Sequence, residues 1–225
     1  MISILMPIYN GVEFINESIP SIIYQTYTEW ELLIGINGHP PQSNIFKNVV
    51  SYISSNYLDY KNKIKIFDFY HIKGKSNTLN EMIKHCKYDY IALLDVDDKW
   101  SSDKLKIQSY FLEKFDVIGT LCSYLKNDII SNGPILPIGD ISQFNFFKVN
   151  PIINSSVIIK KELCYWNPVW EGLEDYELWL KLNKQNKKFY NCSSKLVLHR
   201  IHNNSAFNAK GNQNLVENLL KYHLS

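Results

Sequence analysis

The sequence predicts an α/β fold built on a mostly parallel sheet with helices on both faces. Three observations carry this expectation. Short strand-like runs recur along the first half of the chain, three of them ended by a turn-forming pair or an acidic cluster. Between them, apolar residues repeat at helical spacing. Runs such as Ile2–Met6 and Ile91–Leu94 are largely apolar, as strands buried on both faces should be.

Ile2–Met6 is the first such run, closed by Pro7 and Asn10-Gly11. Ile15, Ile19, Ile22 and Ile23 then mark a helix to about Gln25, and Glu31–Ile36 is a second strand ended by Asn37-Gly38 and Pro40-Pro41. Ile45, Val49, Val50 and Ile53 mark a second helix, and Ile64–Phe69 a third strand. Ser76 is the expected cap of a helix carrying Leu79, Met82 and Ile83. Tyr90–Leu94 is a fourth strand that runs into Asp95-Val96-Asp97-Asp98. The second half is less regular. A helix is expected over Leu105–Phe115, extended chain over Val117–Tyr124 and a strand over Ser155–Ile159. A helix is expected from about Leu173 to Asn186, extended chain over Val197–His199 and an amphipathic helix over Gln213–His223. In a parallel sheet, ligands collect at the C-terminal ends of the strands. Tyr9-Asn10, Asn37-Gly38 and the Asp95 cluster all fall there.

The 225 residues, 45% hydrophobic and 20% charged with a net charge of +2, suit one continuous globular domain, 1–225. The near-neutral balance argues against a nucleic-acid partner. No apolar run reaches the roughly 20 residues of a membrane span, and the N-terminus lacks the basic flank of a signal peptide. Cys86, Cys122, Cys164 and Cys192 lie far apart, which fits reduced thiols and a cytoplasmic location.

Asp95, Asp97 and Asp98 stand at the mouth of a strongly apolar strand. Carboxylates crowded there raise one another's pKa unless a cation intervenes. A divalent ion would resolve the repulsion and create a seat for a diphosphate. Asp98 and Asp103 can equally serve a turn and a helix cap. Glu174-Asp175 falls at a predicted helix start, where the macrodipole favours ionised carboxylates; acids there are also ordinary helix starters. Arg200 is the single arginine. Its planar fork could clamp a phosphate, or pair with a neighbouring acid. Trp166, Trp170 and Trp179 could be sugar platforms or core packing.

Several segments in chain order carry a resemblance: Ile4-Leu5-Met6-Pro7-Ile8-Tyr9-Asn10-Gly11, Ser21–Tyr27, Glu31–Ile34 and Gly74–Asn80 in the first half. The D-x-D-D stretch Asp95–Asp98, Asn150-Pro151 to Val157, Glu174–Trp179 and Arg200-Ile201-His202 continue it. Together they resemble the family 2 glycosyltransferases of GT-A fold. The resemblance implies an inverting, hexosyltransferase-type enzyme. It would move a sugar from a nucleoside-diphosphate sugar, most simply a UDP-sugar, to a glycan, protein or lipid-linked acceptor. It implies Mn²⁺ or Mg²⁺ held by Asp97 and His202, with Asp95 near the ribose. It assigns Pro7, Tyr9, Asn10, Asn37, Lys75, Asn80, Asp95, Val96 and Arg200 to the nucleotide-sugar site. Residues 1–98 become the nucleotide-sugar-binding half and 99–225 the acceptor and catalytic half. The E-D motif makes Asp175 the general base, with Glu174 in support.

Asn154 and Trp179 are expected on the acceptor side, although Asn154 stands where relatives often carry histidine. Strand alternation separates the facing of His199 from that of His202, and His199 is expected to pack. Many relatives carry aspartate where Asn37 stands. An amide can accept from and donate to the edge of uracil at once, though Asn-Gly is also a strong turn pair. Three other readings compete. A haloacid-dehalogenase-like phosphatase carries D-x-D after the first strand rather than the fourth. A sugar nucleotidyltransferase needs a glycine-rich loop where Tyr9-Asn10-Gly11 stands. A non-catalytic nucleotide-sugar-binding module would not need Asp175. The oligomeric state stays open, with a homo-oligomer compatible with the sequence.

Overall fold

The computed structural model describes residues 1–202 and 212–224. β1 (Ile2–Ile8), α1 (Ile15–Ile23), β2 (Trp30–Asn37), α2 (Asn44–Asn56), β3 (Ile64–Phe69), α3 (Lys75–Met82) and β4 (Tyr90–Leu93) follow one another as the hydrophobic pattern predicts. β5 (Lys99–Trp100), α4 (Lys104–Ser109), β6 (Val117–Lys126), β7 (Ile129–Asn132) and β8 (Gly139–Asp140) come next. β9 (Ile158–Lys160), α5 (Glu174–Lys184), β10 (Phe189–Arg200) and α6 (Asn212–Leu224) complete the described chain.

The strands form one sheet in the order β3-β2-β1-β4-β9-β6-β10-β5, with β7 added beside β6 and β8 beside β10. β3, β2, β1 and β4 run parallel. β9 is inserted antiparallel to both β4 and β6, and β6 and β10 are parallel to each other. Alternation along β1 divides the core. Ile2, Ile4, Met6 and Ile8 meet apolar residues of α1, α2 and α4 on one face, whereas Leu5 meets those of α3, α5 and α6 on the other. Gly35 on β2 lets α3 sit close: a Cβ there would lie 2.7 Å from the Met82 sulfur. Because β1, β2 and β4 are parallel, their C-terminal ends open on one edge, and the loops that follow them meet there.

The structure corrects several local expectations. The N-cap of α3 is Gly74 at φ +86°, not Ser76, which lies inside the helix with a buried hydroxyl. The Leu105–Phe115 helix shortens to α4, and turns continue from Tyr110. Of the expected strand Ser155–Ile159, residues Asn154–Ser156 form a 3₁₀ turn and pairing begins at Ile158. Side-chain bonds displace the ladder there: Ser155 Oγ accepts from the Asp95 N–H and Ser156 Oγ from the Thr120 N–H. β10 is far longer than the Val197–His199 run. Irregular register between Cys192 and Val197, together with buried Asn191, hides its period. The four cysteines are free. No helix of the described residues is long and apolar enough to cross a membrane.

Candidate active site

A cleft of about 1210 Å³ lies over the C-terminal ends of β1, β2 and β4. One wall is Pro7, Tyr9, Asn10, Asn37, Gly38 and Asp95–Asp97. The facing wall is Phe147–Asn150, Asn154 and the turn Glu171–Tyr176 that opens α5; Val216 and Leu220 of α6 close one side. Lys73–Lys75 join the two walls.

Lys75 enters from the first turn of α3. Its Nζ lies 2.6 Å from Asp95 Oδ1 and 3.7 Å from Glu174 Oε1. Burial opposes the ammonium charge, but the two carboxylates outweigh burial and hold the lysine above its ordinary pKa. Asp95 is the reciprocal case. Burial would raise its pKa, yet Lys75 and a 3.0 Å hydrogen bond from Asn154 Nδ2 hold it down, so it is ionised at neutral pH.

Asp97 behaves oppositely. Burial, then repulsion from Asp98 and Asp95, pushes its pKa up. Its Oδ2 lies 2.9 Å from His202 Nε2. Asp98, 1% exposed, is withdrawn from the cleft: it accepts from the Arg200 N–H at 2.8 Å and faces His199 Nδ1 at 3.1 Å. Burial works against the His199 charge, but the Asp98 carboxylate outweighs it and raises the His199 pKa to about 9.

Asp175, the second residue of α5, receives a 3.2 Å hydrogen bond from Asn150 Nδ2 on Oδ2. Burial and then the neighbouring Glu174 push its pKa up to about 6, against the opposing pull of Lys75. The pair Glu174-Asp175 therefore faces Lys75 with one carboxyl group poised near neutrality.

The cleft gathers Pro7, Tyr9, Asn10, Asn37, Lys75, Asp95, Val96, Asp97, Asn154, Glu174, Asp175 and His202. Three expected site residues lie elsewhere. The Asn80 amide is spent on the backbone of Trp166, donating to its carbonyl at 2.7 Å and accepting from its N–H at 3.0 Å. The Arg200 guanidinium turns away from the cleft. It pairs with Glu17 at 2.8 Å, donates to the Asp97 carbonyl at 2.9 Å and lies over the Phe14 ring, so the neighbouring-acid alternative holds. Trp179 is 0% exposed in the core beneath α5, because it falls on the inward face of that helix, and Trp166 is equally buried. Trp170 packs against Tyr222 of α6.

Two further observations concern the loops. Asn154, expected on the acceptor side, donates to Asp95 within the cleft. His199 lines the cleft with His202, because the chain leaves β10 at Arg200 and strand alternation stops there. Lys73, Phe147 to Asn150, Glu171 and the α6 wall line the cleft without any local sequence signal. They lie on loops or on a helix distant in sequence, where only the fold reveals proximity.

A divalent cation fits part of this site. Among the described residues no three His, Cys, Asp or Glu side chains are grouped to hold a metal. Asp97 and His202 do present a carboxylate beside an imidazole, and a cation would relieve the crowding that raises Asp97. Such a short donor set suits an ion that keeps waters and takes its other ligands from a substrate diphosphate.

Comparisons with known proteins agree with this geometry. The family model "Glycosyl transferase family 2" matches residues 3–138. The chain is 29% identical over 219 residues to the Escherichia coli O-antigen biosynthesis glycosyltransferase WbnJ, covering 91% of this chain and 81% of that one. It is 28% identical over 215 residues to the E. coli UDP-Glc:alpha-D-GlcNAc-diphosphoundecaprenol beta-1,3-glucosyltransferase WfgD, covering 91% and 79%.

Among solved structures, S. aureus TarS 1-349 in complex with UDP-GlcNAc superposes with a TM-score of 0.71 at 16% identity. The match covers 99% of this chain and 66% of that chain. The mannosyltransferase PcManGT from Pyrobaculum calidifontis, in complex with GDP-Man and Mn2+, gives 0.69 at 13% identity and covers 91% and 58%. These likenesses establish the GT-A fold. With more than half of the chain matched by the family model, this chain belongs to the family 2 glycosyltransferases and is a glycosyltransferase.

Proposed function

We propose that the enzyme is a metal-dependent, inverting glycosyltransferase that uses a UDP-sugar and a lipid-linked diphosphate-sugar acceptor, with Asp175 as general base. The observation that carries this reading is the meeting of the Asp97–His202 pair, the Lys75–Asp95 pair and Asp175 in one cleft. Asp97 and His202 would hold Mn²⁺ or Mg²⁺, which, when bound, neutralises charge on the diphosphate. Lys75 adds a fixed positive charge beside Asp95. Asp175, once ionised, accepts the acceptor hydroxyl proton while that oxygen bonds to the anomeric carbon. The bond from that carbon to the diphosphate oxygen breaks, and its electron pair leaves with the diphosphate. A single displacement of this kind inverts the anomeric centre.

The acceptor class is supported by the apolar wall formed by Phe147, Val149, Leu173, Val216 and Leu220, with Lys148 beside it, and by the diphosphoundecaprenol acceptor in the name of WfgD. The test is sugar transfer from a panel of UDP- and GDP-sugars to a short-chain lipid diphosphate sugar, with Mn²⁺ or with EDTA. Transfer from UDP-sugar in Mn²⁺ alone is expected. Transfer that persists in EDTA rejects the metal requirement.

The pKa of Asp175 sets a pH dependence. A base must be ionised, and this carboxyl loses its proton at about 6. Turnover is therefore expected to rise with pH through about 6 and level off above it. A kcat profile that is flat from pH 5 to 8 with chemistry rate-limiting would count against Asp175.

Asn37 is 3% exposed on the cleft floor as the last residue of β2. Its amide satisfies both the N3–H and the adjacent carbonyl of uracil, whereas guanine offers two adjacent donors that suit a carboxylate. Calorimetry in Mn²⁺ should show UDP bound more tightly than GDP by about 1–3 kcal/mol. Asn37→Asp should narrow or reverse that preference, and tighter GDP binding by the wild type would refute it.

A further inference from the structure

The segment Asn150-Pro151-Ile152-Ile153-Asn154 has an asparagine at each end, and both line the cleft. Each amide donates to a site carboxylate: Asn150 Nδ2 to Asp175 Oδ2 at 3.2 Å and Asn154 Nδ2 to Asp95 Oδ2 at 3.0 Å. The segment is itself held. The Pro151 carbonyl accepts from Asn191 Nδ2 at 2.8 Å, and Ile152 is 1% exposed in the core. The orientation of the Asn150 amide is set locally, because its Oδ1 accepts from the Ile152 N–H at 3.3 Å. The NH₂ group must then point outward to Asp175.

We propose that Asn150 is a positioning residue for the base: it fixes the Asp175 carboxylate in place and favours its ionised form. This rests on the reading of Asp175 as base. The amide can donate to the carboxylate but cannot take its proton, so Asn150 acts only through Asp175. Among the described residues, the charged groups facing Asp175 are Glu174 on its own helix, which disfavours ionisation, and Lys75 from α3, which favours it. The Tyr176 N–H also donates to Asp175 Oδ1 at 2.7 Å. Asn150 is the neutral donor that reaches Oδ2 from outside α5.

Two readouts test the inference. The first follows the Asp175 side-chain carboxyl by ¹³C NMR through a pH titration and needs no substrate. Asn150→Ala should move the midpoint upward by about one pH unit, a tenfold change in the ionised fraction below it. Asn150→Asp, isosteric but unable to donate and carrying like charge, should move it further. An unchanged midpoint in both variants overturns the inference, whatever reaction the cleft performs.

The second readout uses the complete enzyme with UDP-sugar and acceptor. Asn150→Ala should lower kcat about tenfold and move the acid limb of the kcat profile with the NMR midpoint. The donor KM and the Kd for UDP in Mn²⁺ should remain unchanged. Asn150→Ala should add nothing in an Asp175→Asn background. A loss of UDP affinity matching the loss of kcat, or full additivity with Asp175→Asn, assigns Asn150 a general structural role and overturns the proposal. If both Asn150 variants titrate as expected while wild type and Asp175→Asn turn over equally, the reading of Asp175 fails and the Asn150 contact stands.

Discussion

Asp175→Asn is expected to cut turnover by about 10²–10⁴-fold, the range for removal of a general base, while leaving UDP binding in Mn²⁺ intact. The amide matches the carboxylate in shape, so the cleft keeps its outline. It cannot accept a proton from a hydroxyl, so only the chemical step is lost. Stability supplies a control with a defined sign. Burial and Glu174 raise the Asp175 pKa in the folded protein to about 6, so the folded state holds this proton more tightly than the unfolded chain does. As pH rises through that range, ionising Asp175 works against folding. A neutral amide removes the penalty, and the Asp175→Asn melting temperature at pH 8 should equal or exceed that of wild type. Single-turnover kinetics, UDP calorimetry and thermal melts separate these effects. Retained turnover removes Asp175 from the mechanism, whereas a parallel fall in UDP affinity makes it a binding residue.

Asp97→Ala is expected to weaken metal-dependent UDP binding by about 100-fold or more, equivalent to about 2.7 kcal/mol. In wild type, UDP with Mn²⁺ at about 100 times Kd should stabilise the protein by about 2.7 kcal/mol, and EDTA should abolish this. The variant should show no Mn²⁺-dependent stabilisation. Its ligand-free fold should persist, because the Asp97 carboxyl is crowded by Asp98 and Asp95. The Arg200 contact to residue 97 uses the backbone carbonyl, which substitution spares. Equal UDP affinity of the wild type in Mn²⁺ and in EDTA would remove the metal from donor binding.

The legibility of the fold followed its periodicity. The parallel strands of the first half are short, apolar-rich segments, and their order and approximate bounds could be read directly. The second half could be read only in pieces. Ser155 and Ser156 replace ladder bonds with side-chain bonds, and β10 carries irregular register between Cys192 and Val197, so neither stretch shows a period of two. The site divided in the same way. Asp95 and Asp97 could be found because nothing structural demands two acids at the mouth of an apolar strand, and Glu174 and Asp175 because the family pattern surrounds them. Asn80 and Trp179 follow the same pattern, yet what each side chain touches depends on which face of a helix it occupies. The face of α3 bearing Asn80 meets the Trp166 backbone, and the face of α5 bearing Trp179 meets the core.

The sequence by itself determined the α/β class, the placing of a ligand cleft at the ends of the parallel strands and the chemistry available there. Those properties depend on local hydrophobic period and residue type. Tertiary structure alone decided the partners. Arg200, the strongest phosphate-clamp candidate in the sequence, is held instead by Glu17 and the Phe14 ring. Asn154 reaches across to Asp95, and Asn150 to Asp175. α6 closes the cleft from the far end of the described chain. Coulombic and hydrogen-bonding energies depend on distances of a few ångströms between residues far apart in the chain, as Glu17 and Arg200 are, and chain folding alone sets those distances.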